Sequence, residues 1–281
     1  MSSKPPATPS LAGRVAVVSG SSQGIGAAIA RELSSRGAAL VLNYPDPSQL
    51  ANAEAVRDSL LPNTEAIAVE ADMSTVDGPA ALISAAVARF GRVDILVNNA
   101  GRGDHTNLRD LTPERWAAVF DLNARGPALL TQAALPHLSS RGGGGSSRIV
   151  NVVSPTSRDP PGPDWTLYGG SKGALYSMTR AWAKELPREY GCTVNAVAPG
   201  PVDGLAINSA PDEFKKGLAV LSEATPVAPR LTQAAEVAWA VAMLCEEGAA
   251  SGNYFTFPEH HVLLAENMFL IPGMFGVTQE K

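Results

Sequence analysis

Residues 15–36 read VAVVSGSSQGIGAAIARELSSR, and this stretch decides the fold class. Val15–Ser19 is a short run of β-branched and small residues without polar alternation, the signature of a strand buried on both faces. From Ile25 to Arg36 the apolar residues recur at helical spacing. Between the two lie Gly20, Gly24 and Gly26, which let the chain turn sharply and let backbone amides approach a ligand closely. The N-terminus of the following helix offers unpaired N–H groups and a partial positive charge to a phosphate. No Lys-Ser/Thr pair follows the glycines, so a Walker-type nucleotide loop is excluded. Placed after the first strand and before the first helix, the turn points to a dinucleotide, with Gly20, Ser22, Gln23, Gly24, Ile25 and Gly26 as candidate cofactor contacts.

The same rhythm continues along the chain. Strand-like runs recur at Val15–Ser19, Ala39–Asn43, Ala66–Glu70, Ile95–Asn98, Arg148–Val153 and Thr193–Ala198. Segments of 3.6-residue periodicity separate them at Ile25–Arg36, Ala51–Leu61, Pro79–Phe90, Pro113–Leu138, Leu167–Tyr190 and Gln233–Glu247. Strand–helix–strand repetition implies right-handed parallel crossovers. The expected fold is α/β: a doubly wound parallel sheet of Rossmann type, about seven strands with helices on both faces, in one domain spanning residues 11–252. Residues 1–10, rich in Pro and Ser, are expected to form a disordered arm, and 253–281 a divergent tail docked on the same domain. Residues 141–148, with four consecutive glycines, read as a mobile turn. The proline-stiffened stretch Ser157–Trp165 (SRDPPGPDW) follows a strand end, where open α/β sheets bind ligands, and is expected to overhang the site.

Composition narrows the class. The chain has 281 residues, 45% hydrophobic and 17% charged, which is a globular balance and long enough for one large core. A net charge of −5 argues against nucleic acid as a partner. No apolar run reaches membrane-spanning length, and the first ten residues hold no secretory signal. Cys192 and Cys245 sit in apolar stretches and read as buried, reduced thiols of an intracellular protein, too few for a zinc cluster, so no metal is expected. What remains is a soluble, cytoplasmic enzyme or binding domain acting on a small molecule.

Tyr168-Gly-Gly-Ser-Lys172 opens a helical segment and places a phenol and an amine four residues apart, on one face. A free phenol titrates near pH 10 and is a poor acid or base at neutrality. A cation at about 4 Å in an effective dielectric of about 20 is worth roughly 4 kcal/mol, or about three pKa units. That would bring Tyr168 near neutrality, where general acid–base catalysis is most effective.

Five motifs now stand in order: Gly20-x-x-x-Gly24-x-Gly26; Asn98-Asn99-Ala100-Gly101 after the fourth strand; Asn123 in a long helix; Ser154 ending the strand IVNVVS with Tyr168 and Lys172 beyond it; and Asn195 through Pro199-Gly200 after the sixth strand. Their order resembles the short-chain dehydrogenase/reductase family over about residues 12–250. The resemblance implies that Ser154 hydrogen-bonds the substrate oxygen, Tyr168 passes the proton, Lys172 also binds the cofactor ribose, and Asn123 holds a water in a relay reaching Lys172. Ser157 is the rival to Ser154. It further implies that Asn99, Gly101, Pro199, Gly200 and the backbone of Val202 contact the cofactor and that Asp72 contacts its adenine, against a reading of Asp72 as a helix cap. From Ser154 to Tyr168 the chain carries one residue more than the family spacing, placed in the Pro-rich loop.

The second strand ends Leu42-Asn43-Tyr44, with no carboxylate before Asp46, whereas NAD-selective members place an acid there. Asn43 and Tyr44, read as cofactor contacts, form an ending similar to that of NADPH-dependent fungal polyketide and naphthol reductases. NADP(H) is therefore expected over NAD(H), although Gln23 stands where many NADP users carry a base, and Arg14 and Arg36 are the nearest cations. Gly204 replaces the family's nicotinamide-contacting threonine, and 205–222 is expected to form an amphipathic helix over the cleft. Trp165 could stack on an aromatic substrate or simply pack. The resulting expectation is an NADPH-dependent reductase of a ketone or quinone-like carbonyl in secondary metabolism, working as a homo-oligomer (dimer or tetramer). The alternatives are an NAD-linked alcohol dehydrogenase, or a non-redox cyclase, dehydratase or cofactor-sensing protein on the same scaffold.

Overall fold

The apolar runs become the strands of one sheet in the computed structural model, which describes residues 10–138, 147–204, 230–246, 249, 251–256 and 264–267. They are β1 (Val15–Val18), β2 (Ala39–Tyr44), β3 (Ala66–Glu70), β4 (Ile95–Asn98), β5 (Ser147–Val152) and β6 (Cys192–Ala198). Two further strands, β7 (Asn253–Thr256) and β8 (Leu264–Asn267), lie where the sequence suggested only a docked tail. The order is β3-β2-β1-β4-β5-β6-β7-β8, parallel through β7, with β8 antiparallel to β7 at the edge. Residues 141–146 of the expected turn, 205–222, 1–9 of the N-terminal arm and most of the tail fall outside the described residues, while Ser147 and Arg148 of that turn open β5.

The helices are α1 (Gly24–Ser35), α2 (Leu50–Asp58), α3 (Gly78–Phe90), α4 (Pro113–Phe120), α5 (Gly126–Ala134), α6 (Thr166–Tyr190) and α7 (Ala234–Cys245). Alternate strand residues serve opposite faces. Val17, paired with Val41 and Leu96, and Ile149, paired with Leu96 and Val194, lie in the core that Leu82, Ile83, Leu130 and Leu186 of α3, α5 and α6 cover. Their neighbours Ala16, Val18, Leu40, Leu42, Ile95 and Val97 pack with Ile29 and Leu33 of α1 and Val237 and Val241 of α7. Both faces are covered, which is why the strands read as continuous apolar runs. Strand order reverses between β1 and β4, and the crevice at their carboxyl ends is where a ligand fits.

The expected helix over 113–138 is two. A π-helical turn, Asp121–Arg125, separates α4 from α5. Pro127 has no N–H to give the carbonyl four residues back, that of Asn123, so the α-helical ladder cannot run through. Gly126 also brings its backbone against β3's end: a Cβ there would stand 2.4 Å from the Met73 carbonyl oxygen. Such turns concentrate at functional sites, and this one carries Asn123. Cys192 and Cys245 are free and buried, and burial pushes both thiols up, to about 11 and about 12. Among the described residues no helix is long and apolar enough to cross a membrane.

Candidate active site

The glycine turn closes tightly on the end of β4. Gly20 has φ +61°, and a Cβ on it would lie 2.9 Å from the Ala100 Cα. A Cβ on Gly26 would lie 2.3 Å from the Gly20 carbonyl oxygen and 2.6 Å from the Asn99 Nδ2. Gly26→Ala therefore forces backbone apart in a packed turn. We expect it to destabilise by about 1–3 kcal/mol and to abolish nucleotide binding, as read by thermal unfolding and titration with NADPH; an unchanged midpoint and affinity would refute this geometry. The amino end of α1 has Gln23 in extended conformation, no capping side chain and no acid in its first turn. Its amides are left for an anion, so the residues present fit a dinucleotide's diphosphate. Ser22 is buried beside the turn, Ile25 half-buried and Gln23 exposed.

Several predicted cofactor contacts brace this cradle instead of lining it. Asn43 is buried. Its Oδ1 accepts from the Gly20 N–H at 2.9 Å, and its Nδ2 donates to the Ala71 carbonyl at 2.9 Å and those of Val69 and Tyr44 at 3.3 Å. Its carboxamide staples the glycine turn to the end of β3. Asn99 Nδ2 likewise donates to the Ser19 and Gly20 carbonyls at 2.9 and 3.0 Å. Asp72 Oδ1 accepts from the Ser74 N–H and hydroxyl, both at 2.8 Å, so one carboxylate oxygen serves as the turn cap. Tyr44 is buried at the end of β2. Arg36 is held by Glu32 and by Glu246, at 2.5 Å, at the far end of α1, and Arg14 precedes β1. Neither cation stands at β2's carboxyl end. Beyond β6, Pro199, Gly200 and Val202 form a turn tied down by Thr232, whose N–H donates to the Pro201 carbonyl and whose carbonyl accepts from the Asp203 N–H. Gly204 follows at φ +148°.

Ser154, Tyr168 and Lys172 meet at the end of β5. Ser154 caps a single 3-10 turn, accepting from the Thr156 N–H at 3.3 Å and its hydroxyl at 2.9 Å, and is hydrogen-bonded to the Tyr168 hydroxyl. The rival Ser157 has a buried hydroxyl without a hydrogen-bond partner and is not the one bonded to Tyr168. Lys172 is 4% exposed, and its Nζ donates to the Val152 carbonyl at 2.8 Å. A Cβ on Gly101 would stand 3.1 Å from both this Nζ and the Asn123 Oδ1. The backbone after β4 thus passes close between the two, and a side chain there would have to push one of them by a few tenths of an ångström.

Two electrostatic expectations change. Burial pushes the Tyr168 phenol up, and the Ser154 bond offsets this only in part; Lys172 does not hold the phenol down, its ammonium being turned to Val152. Burial instead draws Lys172 itself down to about 8. Asn123 is fully buried, and its carboxamide donates to the Arg102 carbonyl at 2.9 Å and Ser171 Oγ at 3.0 Å while accepting from the Arg102 N–H at 2.9 Å. Its side chain thus fixes the Gly101–Arg102 backbone beside Lys172.

Two groups escaped the sequence reading. A buried polar chain runs under the site: Asn98 Nδ2 donates to Thr131 Oγ1 at 3.0 Å and to its cross-strand partner Asn151 Oδ1 at 2.7 Å, and Asn151 Nδ2 donates to Thr179 Oγ1 at 2.7 Å. It ties β4 and β5 to α5 and α6; an asparagine inside an all-buried strand run was its available signal. The other is His105, whose ring meets Trp165 edge-on at 4.5 Å.

A family model described as "Enoyl-(Acyl carrier protein) reductase" matches residues 20–254. The chain is 44% identical over 245 residues to the "Short-chain dehydrogenase/reductase FrzI" of Cladobotryum sp, over 86% of this chain and 92% of that one. It is 40% identical over 193 residues to versicolorin reductase 1 of Dothistroma septosporum, over 68% of this chain and 70% of the relative. Among solved structures, a blue fluorescent protein from a metagenomic library in complex with NADPH is similar at a TM-score of 0.78 and 30% identity, over 90% of this chain and 99% of that one.

Proposed function

Because the chain belongs to the short-chain dehydrogenase/reductase family, we propose that it is an NADPH-dependent carbonyl reductase in which Tyr168 is the proton donor. The observation carrying this reading is a half-buried phenol bonded to Ser154 and one helical turn from a buried amine. At neutral pH this phenol carries a proton, as any tyrosine does, and its placement beside Ser154 and Lys172 is what suits it to give that proton to a carbonyl oxygen. An alcohol oxidation would need the phenolate, which burial opposes.

The amides of Gly20–Gly26 would hold the diphosphate, Tyr44 and Asp72 the adenosine side, Gly101 and Lys172 the nicotinamide ribose, and the Pro199–Val202 turn the nicotinamide end. When bound there, a reduced nicotinamide supplies the hydride. Ser154 donates a hydrogen bond to the substrate oxygen while Tyr168 gives that oxygen its proton. The Lys172 ammonium, positioned by the Val152 carbonyl, would donate to the ribose hydroxyls and so hold the nicotinamide beside Tyr168. Asn123 keeps the Gly101 backbone where Lys172 passes it. Asn43 and Asn99 act one layer back, as positioning residues for the cradle.

NADPH is favoured because β2 ends without a carboxylate, and because the solved neighbour is described with NADPH. The named relative versicolorin reductase 1 supports reduction of a secondary-metabolite carbonyl as the physiological direction. Apolar area for a homo-oligomer is available at Trp116, exposed and stacked on Phe120 at 3.9 Å, and at the exposed Trp239. The test is titration of the purified protein with NADPH and NADH, following energy transfer from tryptophan to the reduced nicotinamide. Tighter NADPH binding is expected; preference for NADH would turn the reading to an NAD-linked dehydrogenase, and no binding of either would end the redox reading. With a carbonyl substrate, kcat/KM is expected to hold level below pH 8 and to fall above it as Lys172 loses its proton. A profile flat to pH 10 would remove the ammonium from the mechanism.

A further inference from the structure

We propose that His105 and Trp165 form a preorganised aromatic wall that selects flat, multi-ring carbonyl substrates for presentation to Tyr168. This rests on the reading of Tyr168 as the proton donor and adds the substrate class. Trp165 stands three residues before Tyr168 at the start of α6, so indole and phenol share one side of the first turn. Their ring centroids are 5.8 Å apart at an interplanar angle of 56°. Trp165 also meets His105 at 4.5 Å and 81°, edge to face. His105 is exposed while Trp165 and Tyr168 are half-buried. The three rings therefore make a row from the surface to the reacting hydroxyl.

The row is held rigid by bonds between two loops that follow different strands. Thr106 pairs with Trp165 as an isolated parallel bridge, and Asn107 Nδ2 donates to Asp164 Oδ1 at 2.8 Å. Asp164 sits at φ +69°, a left-handed conformation that Asp tolerates better than most residues. The loop after β4 is fastened in turn by Asp104, which pairs with Arg115 at 3.4 Å and accepts from the Thr106 hydroxyl. Both loops leave the carboxyl ends of their strands, the ligand edge of the sheet. A wall fixed before the substrate arrives costs little ordering on binding, and an indole offers a broad face to another π system. A small aliphatic carbonyl reaches Tyr168 without using it.

Two vicinal dicarbonyls separate the effects: phenanthrenequinone, flat and three-ringed, and diacetyl, small and aliphatic. Trp165→Leu is expected to lower kcat/KM for phenanthrenequinone by about three- to tenfold, mainly through KM, and to lower it for diacetyl by a clearly smaller factor. Trp165→Phe should restore most of the loss, and His105→Ala should show a weaker loss of the same selectivity. Calorimetric titration of NADPH-loaded protein with phenanthrenequinone reads the same change in affinity without turnover. Equal losses on both substrates, or an unchanged phenanthrenequinone affinity in Trp165→Leu, overturn the wall and leave the reductase reading intact. Failure of the unsubstituted protein to reduce either compound counts against the reductase reading, and the calorimetric comparison then decides the wall by itself.

Discussion

Tyr168→Phe is expected to lower kcat/KM for carbonyl reduction by about 10²–10⁴, the range a positioned general acid contributes, while NADPH affinity and the unfolding midpoint stay where they were. The structure supports both halves. The hydroxyl is bonded to Ser154 and to no element of the sheet, so its removal breaks no strand or helix contact. Ser154 keeps two other partners, the Thr156 N–H and hydroxyl, and remains satisfied. The phenyl ring retains its place against Trp165. Steady-state kinetics alongside thermal unfolding check the two halves together. Full activity in Tyr168→Phe would sink the proposed mechanism outright.

Lys172→Met should do something less usual: abolish turnover and stabilise the fold. The folded amine titrates at about 8, against 10.5 when solvated. Below pH 8 both folded and unfolded chains hold the proton, and the folded state bears the whole cost of burying it. As pH rises from about 8 to 10.5 the folded amine releases its proton first, so stability climbs across that window. At about 1.4 kcal/mol per pH unit, the buried charge costs on the order of 3 kcal/mol at neutrality. Methionine removes that cost and leaves the Val152 carbonyl without this donor, which returns about 1 kcal/mol. Urea unfolding at pH 7 and pH 10 should give Lys172→Met the higher midpoint at pH 7 and a difference from the parent that shrinks at pH 10. A lower midpoint at pH 7 would mean that the amine is a net structural asset.

Much of this arrangement was legible from one chain. β4 falls at the residues its apolar run indicates, because a strand covered on both faces favours apolar residues throughout, and β3 does so although it is a half-exposed edge strand. The glycine turn and the Tyr168–Lys172 spacing read correctly for the same kind of reason, since each is enforced by local geometry. What escaped was set by distant neighbours. Asn43 looked like a cofactor contact at a strand end, and only the closeness of Gly20 and Ala71 shows it to be a staple. Periodicity ran unbroken through 113–138, and the interruption came from Pro127 and from the approach of Met73 to Gly126. The titration of Tyr168 was misjudged because helical spacing placed the amine correctly but could not reveal that the Val152 carbonyl claims it. β7 borrows its pairing from β6, and β8 from β7, partners that short runs do not announce.

The stitching between the loop after β4 and the loop before α6 bears on how this protein could change its diet over evolutionary time. Thr106 pairs with Trp165 and Asn107 with Asp164, so neither loop holds its shape through its own residues alone. A replacement in one of them orphans a partner in the other. Substrate range should therefore shift by inheritance of the two loops as a matched set, and an engineer recombining relatives would do better to transplant residues 102–107 and 158–165 together than either by itself. The chemistry would pass through such an exchange untouched, because Ser154 and Lys172 are anchored to β5 and the turn that follows it, outside the exchanged pieces.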